Sequence, residues 1–184
     1  MHIKDHLLTD SAHTITANQD QRPLDGDISL IIVHGISLPA GHFGGPYIEQ
    51  LFNNHLDCSR NSDFRDLEGV KVSAHVLIRR NGDVTQFVPF GNRAWHAGIS
   101  SYHGRTDCND FSIGIELEGV DYCDYVQEQY EQLARICRLL LHEYPLLSPD
   151  RIVGHCDVAP GRKTDPGNHF SWSTFRSLLG QNAD

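Results

Sequence analysis

The hydrophobic positions along the chain predict strands with two different patterns of burial. Residues 28–34 form an apolar run rich in β-branched side chains between Asp27 and Gly35, which is typical of a strand buried on both faces. Residues 111–117 alternate instead, so that Glu116 lies on the face opposite the apolar side chains. Residues 151–155 are predicted to form a further strand, and this strand ends on His155.

Turn and helix signals complete the predicted fold. Residues 74–79 and 84–88 flank Asn81-Gly82, a strong hairpin signal. Apolar positions recur at helical spacing from residue 124 to about 144, where Pro145 ends the run. Shorter helices are predicted from Gly44-Gly45-Pro46 through residue 56 and over residues 171–179. The mixture predicts an α/β (α+β) fold with a central mixed β-sheet flanked by helices.

Length and composition predict one domain over residues 1–184, because 184 residues suit a single core and no repeat or linker divides them. The formal net charge of -9 argues against nucleic acid and anionic membrane as partners. The polar N-terminus and the absence of a long apolar run in the sequence predict neither a signal peptide nor a membrane span. Five cysteines without a C-x-x-C pair favour the cytoplasm. No obligate protein partner is evident.

Three residues form a candidate metal site. His34 and His155 end predicted strands before loops that contain glycine or proline, and Asp165 follows ten residues after His155. Two imidazoles and a carboxylate match a catalytic zinc, whose fourth position stays open for water. With twelve histidines in the chain, the spacing alone also allows satisfied polar residues at strand ends. A zinc that only stabilises the fold would need a fourth ligand, such as Cys156 or His75.

Four stretches of sequence resemble a known family. They are VHGISLP at 33–39, AWHAG at 94–98, CNDFSIGIELEG at 108–119 and GHCDVAPGRKTDPG at 154–167. These resemble the 1,6-anhydro-N-acetylmuramyl-L-alanine amidases, within the zinc N-acetylmuramoyl-L-alanine amidase family that also contains phage T7 lysozyme and peptidoglycan recognition proteins. The resemblance is strongest over residues 28–176.

The resemblance implies a role for each residue of the site. Zn²⁺, one ion per chain, would be bound by His34, His155 and Asp165. Glu116 would take a proton from the attacking water and deliver one to the departing amine, and Lys163 would help to stabilise the oxyanion. Cys156 is interpreted as a small buried hydrophobe, since in an extended strand it would face away from the side of His155.

Candidate substrate contacts are less specific. Trp95 and His96 are predicted to form a wall for the sugar near the metal, although core packing is a comparable role for Trp95. Lys71 and Arg105 are candidate cations for the carboxylates of the peptide stem. Two positions depart from the family pattern: Gly35 replaces a common asparagine and Asp107 replaces an arginine. Both are interpreted as positions of substrate contact.

The function implied by the resemblance is hydrolysis of the amide between 1,6-anhydro-N-acetylmuramic acid and L-alanine. The substrate would be a small soluble muropeptide of cytosolic peptidoglycan recycling, and its turnover would indirectly limit β-lactamase induction. An amidase of intact peptidoglycan is an alternative, which predicts an export signal or a basic wall-binding segment. A non-catalytic peptidoglycan-binding module is another, which predicts the loss of a zinc ligand or of Glu116.

Overall fold

The chain alternates short strands and helices along residues 1–181, the part that the computed structural model describes. The strands are β1 (Ile3–Lys4), β2 (Leu7–Leu8), β3 (Ala12–His13), β4 (Gln19–Gln21), β5 (Leu30–Ile36), β6 (Val76–Ile78), β7 (Val84–Gln86), β8 (Asn92–Ala94), β9 (Ser101–Tyr102), β10 (Arg105–Thr106), β11 (Ser112–Glu118) and β12 (Ile152–Gly154). The α-helices are α1 (Tyr47–Phe52), α2 (Gln127–Glu143), α3 (His155–Val158) and α4 (Trp172–Leu179). Short 3₁₀ helices cover Ser62–Leu67, Cys108–Asp110 and Pro149–Arg151.

A mixed sheet forms the centre of the fold. Its strands lie in the order β12-β5-β11-β6-β7-β3. Strands β12, β5, β11 and β6 are parallel, and β6 pairs antiparallel with β7 across the predicted hairpin. The predicted mixed sheet flanked by helices is therefore present.

One face of this sheet carries the main hydrophobic core. Ile31 and Val33 of β5 and Ile113 and Ile115 of β11 belong to a buried cluster with the apolar faces of α2 and α4. The spacing of apolar residues in α2 produces this stripe, because residues three and four apart share one side of a helix. The helical spacing of apolar residues from residue 124 to about 144 thus predicts the helix that packs against this face of the sheet.

The opposite face is also buried but contains the polar residues of β11. All seven residues of β11 are buried. The alternation of apolar and polar residues in this strand therefore separates two buried faces, not a buried face and a face exposed to solvent. Helix α1 covers part of this face through Leu51 and Phe52. Glu118 is tolerated there because Arg79 donates to its carboxylate at 2.7 Å.

Three predicted boundaries are wrong. Strand β5 continues through Ile36, so His34 lies inside the strand and not at its end. Helix α1 ends at Phe52, short of residue 56. The strand predicted to end on His155 stops at Gly154, where the Asp157 carboxylate accepts from the Gly154 N–H at 2.7 Å and begins α3.

The start of α3 corrects the interpretation of Cys156. This residue lies in the first turn of a helix, not in an extended strand, and its side chain is half-buried rather than a core hydrophobe. The argument from strand alternation therefore does not apply to it. Within residues 1–181, no helix is both long and apolar enough to span a bilayer. Residues 182–184 of the predicted domain lie outside the described part.

Candidate active site

Neighbouring parallel strands bring the candidate site together. In the register of β5 with β11, His34 is paired with Glu116. Paired residues on adjacent strands point to the same face, so both side chains leave the sheet side by side. Strand β12 lies on the other side of β5 with Gly154 beside Val33, and His155 follows directly. The three residues are distant in sequence but adjacent across three strands.

The predicted metal ligands converge on one point. His34 Nδ1 lies 3.0 Å from His155 Nδ1, and Asp165 Oδ2 lies 3.2 Å from His34 Nδ1 and 3.1 Å from His155 Nδ1. Both histidines are almost fully buried, and burial lowers the pKa of His34 to about 4, although the carboxylate of Asp165 favours the protonated form. The imidazole is therefore neutral at pH 7, as a metal ligand must be.

A chain of hydrogen bonds orients His34. His34 Nε2 lies 3.0 Å from His96 Nδ1, and His96 Nε2 lies 3.3 Å from Ser112 Oγ. Ser112 donates its hydroxyl to the Cys108 carbonyl, which can only accept. The chain therefore runs in one direction: His96 donates to Ser112, and His34 Nε2–H donates to His96. His34 Nδ1 is left with its lone pair toward Asp165.

His155 is oriented in the same way. Its Nε2 donates to the Ala97 carbonyl at 3.1 Å, which leaves its Nδ1 without a proton. Hydrogen bonds of this kind from the outer ring nitrogen are typical of histidines that bind metals. Three acceptor atoms, two imidazole lone pairs and a carboxylate oxygen, thus face one another with no donor between them.

The donor set fits a zinc ion. Ligands of a tetrahedral zinc at about 2.0–2.1 Å lie about 3.3 Å apart, close to the 3.0–3.2 Å separations of these atoms. Among residues 1–181, His34, His155 and Asp165 form the group able to hold a metal ion. Three protein ligands leave a position for substrate or water, as in catalytic sites.

Glu116 lies beside this group in an apolar setting. It is 9 % exposed, and its Oε1 is 4.0 Å from His34 Nδ1. Burial raises the pKa of Glu116 well above its ordinary value, the carboxylate of Asp165 adds to the rise, and Lys163 opposes it. Its Oε2 has no hydrogen-bond partner among the described residues. A buried carboxyl whose pKa is raised in this way is a common feature of groups that exchange protons.

A cavity of about 290 Å³ opens onto these groups. Lys163 is an exposed loop residue that lines it. The other lining residues are His34, Gly35, Ile36, Leu38, Leu51, Phe52, Leu67, Val70, Val72, Ser73, His96, Glu116, His155 and Asp165. The lining combines seven apolar side chains with the titratable groups of the candidate site. Such a cavity suits a substrate with apolar surface around one reactive polar bond.

The structure places one of the four predicted substrate contacts in the cavity wall and the other three outside it. His96 lines the cavity, but its ring nitrogens are used to orient His34. Trp95 is half-buried, and Lys71 is exposed between two lining valines. Arg105 instead donates to Asp27 at 2.6 Å and stacks 3.8 Å over the ring of Phe111. These three are not part of the cavity wall that residues 1–181 form.

The structure also shows the surroundings of Gly35 and Asp107, the two residues that depart from the family pattern. A Cβ at position 35 would lie 2.3 Å from the hydroxyl of Tyr125, so a side chain there would point toward this tyrosine and not into the cavity. Asp107 is exposed, with a φ of 59°, at the start of the Cys108–Asp110 turn. It does not line the cavity of the described chain. Gly35 lines the cavity through its backbone alone and Asp107 lies outside the described cavity wall, so substrate contact by either position stays a prediction.

Neither alternative zinc ligand belongs to the candidate metal group of residues 1–181. His75 Nδ1 accepts from the Gly114 N–H at 3.0 Å, and its Nε2 lies 3.1 Å from the Asn92 carbonyl. It is a satisfied structural histidine. Cys156 is absent from the metal-binding group that the described residues form.

Ser112 and Gly114 are residues of the site that the sequence reasoning missed. A Cβ at position 114 would lie 2.4 Å from the ring of His96, so only glycine lets this ring lie against β11. Both residues occupy the same face of β11 as Glu116. A serine, a glycine and a glutamate at alternate positions could have indicated that a ring packs on this face.

The family assignment rests on comparisons that cover most of the chain. The model of the N-acetylmuramoyl-L-alanine amidase family matches residues 24–168. The chain belongs to this family. It is 52 % identical over 160 residues to the 1,6-anhydro-N-acetylmuramyl-L-alanine amidase AmpD of Escherichia coli strain K12, covering 87 % of each chain. The corresponding enzyme of Salmonella typhimurium strain SL1344 is 50 % identical over 172 residues, or 94 % of this chain and 91 % of the relative.

Solved structures agree. A crystal structure of a selenomethionine derivative of AmpD superposes with a TM-score of 0.95 at 48 % identity, covering 97 % of this chain and 99 % of that one. The predicted α/β fold and family are confirmed, and the chain is an N-acetylmuramoyl-L-alanine amidase. The Escherichia coli amidase AmiD, solved with anhydro-N-acetylmuramic acid-L-Ala-D-γ-Glu-L-Lys, is similar with a TM-score of 0.61 at 27 % identity over 86 % of this chain and 60 % of that one.

Proposed function

We propose that this amidase uses one zinc ion to hydrolyse the bond between 1,6-anhydro-N-acetylmuramic acid and L-alanine in soluble muropeptides. The observation that carries the proposal is the convergence of His34 Nδ1, His155 Nδ1 and Asp165 Oδ2 within 3.0–3.2 Å beside the buried Glu116. The substrate follows from relatives about half identical over most of their length, which are named as anhydromuramyl amidases.

The residues of the site divide the chemistry. His34, His155 and Asp165 would hold the zinc, which would supply Lewis acidity toward the scissile carbonyl and acidify the attacking water. Glu116 accepts the proton of the water and passes it to the alanine nitrogen as the C–N bond breaks. Its raised pKa makes the carboxylate a stronger base toward the water, and the proton that it takes up is then available for the alanine nitrogen.

Lys163 contributes a fixed positive charge at the edge of the cavity. It lines the same cavity as Glu116, and its charge opposes the rise in the pKa of that residue. A cation in this place stabilises negative charge that develops on the carbonyl oxygen only during the reaction. His96 has a supporting part, since its acceptor nitrogen keeps His34 Nδ1 directed toward the metal site.

The proposal extends to the place of the reaction. All five cysteines, each within the described chain, are free thiols, which supports a reducing compartment and therefore the cytoplasm. Hydrolysis there would belong to peptidoglycan recycling, and it would lower the muropeptides that induce β-lactamase in some bacteria. No protein partner is required for this chemistry.

The test compares two substrates. The protein is incubated with soluble anhydromuropeptide and, separately, with intact sacculi, with and without a chelator, and products are followed by mass spectrometry. We expect free stem peptide from the soluble substrate, loss of turnover with chelator and recovery with added zinc. Release from sacculi alone would favour the amidase of intact peptidoglycan. Binding without hydrolysis of either substrate would favour the binding module.

A further inference from the structure

Two glycines at the ends of neighbouring strands form a slot that a tyrosine ring fills. Gly35 lies near the end of β5, and Gly119 directly follows β11 and donates to the Ile36 carbonyl at 2.9 Å. A Cβ at Gly35 would lie 2.3 Å from the Tyr125 hydroxyl oxygen, and a Cβ at Gly119 would lie 2.4 Å from Tyr125 Cε1. Real Cβ atoms do not approach so closely, so the tyrosine occupies the volume of two missing side chains.

Through this slot, the Tyr125 hydroxyl reaches the loop that carries Asp165. Tyr125 donates to the Pro166 carbonyl at 3.0 Å. On the other side of Pro166, the Asp165 carbonyl accepts from the Cys156 N–H at 3.0 Å. The two carbonyls on either side of Pro166, directly after the Asp165 Cα, are thus each held by one hydrogen bond.

We propose that Tyr125 is a positioning residue for the metal ligand Asp165, and that Gly35 is the residue that admits its hydroxyl. This inference rests on the proposed zinc site. Asp165 Oδ2 must stay within about 3 Å of two imidazole nitrogens to complete the ligand set, and a loop carboxylate has more freedom to leave that point than a histidine within a strand. The Tyr125 hydroxyl removes this freedom at the next peptide.

The ring and the hydroxyl of Tyr125 have separable roles. The side chain is 6 % exposed, and its ring packs against Tyr130 and Phe170 in the main core. Replacement by phenylalanine keeps this packing and removes only the hydrogen bond to Pro166. A change in metal affinity after that replacement therefore reports on positioning and not on the core.

The first experiment measures zinc affinity by competition with a chromogenic chelator, together with thermal unfolding of the metal-free protein. Tyr125→Phe is expected to weaken zinc binding about tenfold or more, the usual effect of losing support behind a ligand. The matched control is Tyr130→Phe, because the Tyr130 hydroxyl is also buried and accepts one backbone N–H, that of Ser171, at the start of α4. This variant is expected to lose stability without losing zinc affinity.

A double-mutant cycle tests the slot. Gly35→Ala alone is expected to weaken zinc binding, because the added methyl group displaces the Tyr125 hydroxyl. In the Tyr125→Phe background, the nearest remaining atoms to this methyl group are Tyr125 Cζ and Pro166 Cα, both at 3.6 Å, an ordinary contact distance. The second substitution should then have little further effect, so the two losses are not additive.

Several results would overturn the inference. They are unchanged zinc affinity in Tyr125→Phe, an equal loss of zinc affinity in Tyr130→Phe, or additive losses in the cycle. Gly35→Ala keeps the test informative if Tyr125→Phe folds poorly. A wild-type protein that binds no zinc would instead contradict the proposed function, so the two failures are distinguishable.

Discussion

Replacement of Glu116 by glutamine should lower activity and raise the stability of the metal-free protein. The carboxylate has an oxygen without a partner among residues 1–181 and a strongly raised pKa, which burial causes. Glutamine keeps a polar end group in this place but removes the charge, and a buried charge without a hydrogen-bond partner costs at least about 1–3 kcal/mol. For a chain of this size, about 3 °C per kcal/mol then gives a rise in Tm of about 3–9 °C for Glu116→Gln.

The sign of the pH dependence follows from linkage. Because the pKa of Glu116 is higher in the folded than in the unfolded state, the wild type is not penalised below the unfolded pKa. It loses stability as the pH rises toward the folded pKa. Glutamine carries no such charge, so the advantage of Glu116→Gln in Tm should grow from pH 5 to pH 8. Bound zinc should reduce this advantage, since a nearby cation stabilises the ionised carboxylate.

The assay combines unfolding scans of chelated protein at several pH values with turnover of soluble anhydromuropeptide by the zinc-loaded variant. Turnover should fall at least about 100-fold, because general acid–base catalysis contributes roughly that much. Glu118→Gln is the matched control two residues along β11, where the same change breaks a buried pair with Arg79 at 2.7 Å. Its Tm should fall. A difference in Tm between Glu116→Gln and the wild type that stays constant or shrinks from pH 5 to pH 8 would contradict a cost of the buried charge, and near-normal turnover would contradict the catalytic role.

Three further predictions follow from the contacts around the site. Ser112→Ala removes the acceptor of His96 and should weaken zinc binding about tenfold or more, measured by chelator competition; unchanged affinity would contradict the orienting chain. Lys163→Met should lower kcat about 100- to 1000-fold with no change in zinc affinity, and a change confined to KM would show a binding role instead. Lys71→Met should raise KM for substrates with an intact stem, because Lys71 is exposed and lies between two valines of the cavity wall. Arg105→Ala should leave KM unchanged, because that guanidinium is paired with Asp27; equal effects of both substitutions would contradict this division.

Local sequence patterns predicted the elements that bury long apolar stretches. The alternation of residues 111–117 and the apolar run of residues 28–34 correspond to β11 and β5, with bounds shifted by one or two residues. The short strands Ile3–Lys4, Leu7–Leu8, Ala12–His13 and Gln19–Gln21 were not predicted. Strands of two or three residues are too short to show a period, and their formation depends on partners elsewhere in the chain.

Within the site, the sequence indicated which residues matter but not how they meet. The pairing of His34 with Glu116 depends on the register of two parallel strands, and register is fixed by packing against α2 and α4 rather than by either strand alone. The same limit explains Gly35. Its place in the sequence beside a metal ligand suggested a substrate contact, because the sequence does not show in which direction a side chain at this position would point. Only the position of the Tyr125 hydroxyl, 2.3 Å from where that Cβ would lie, shows that the absence of a side chain is itself what the loop of Asp165 requires.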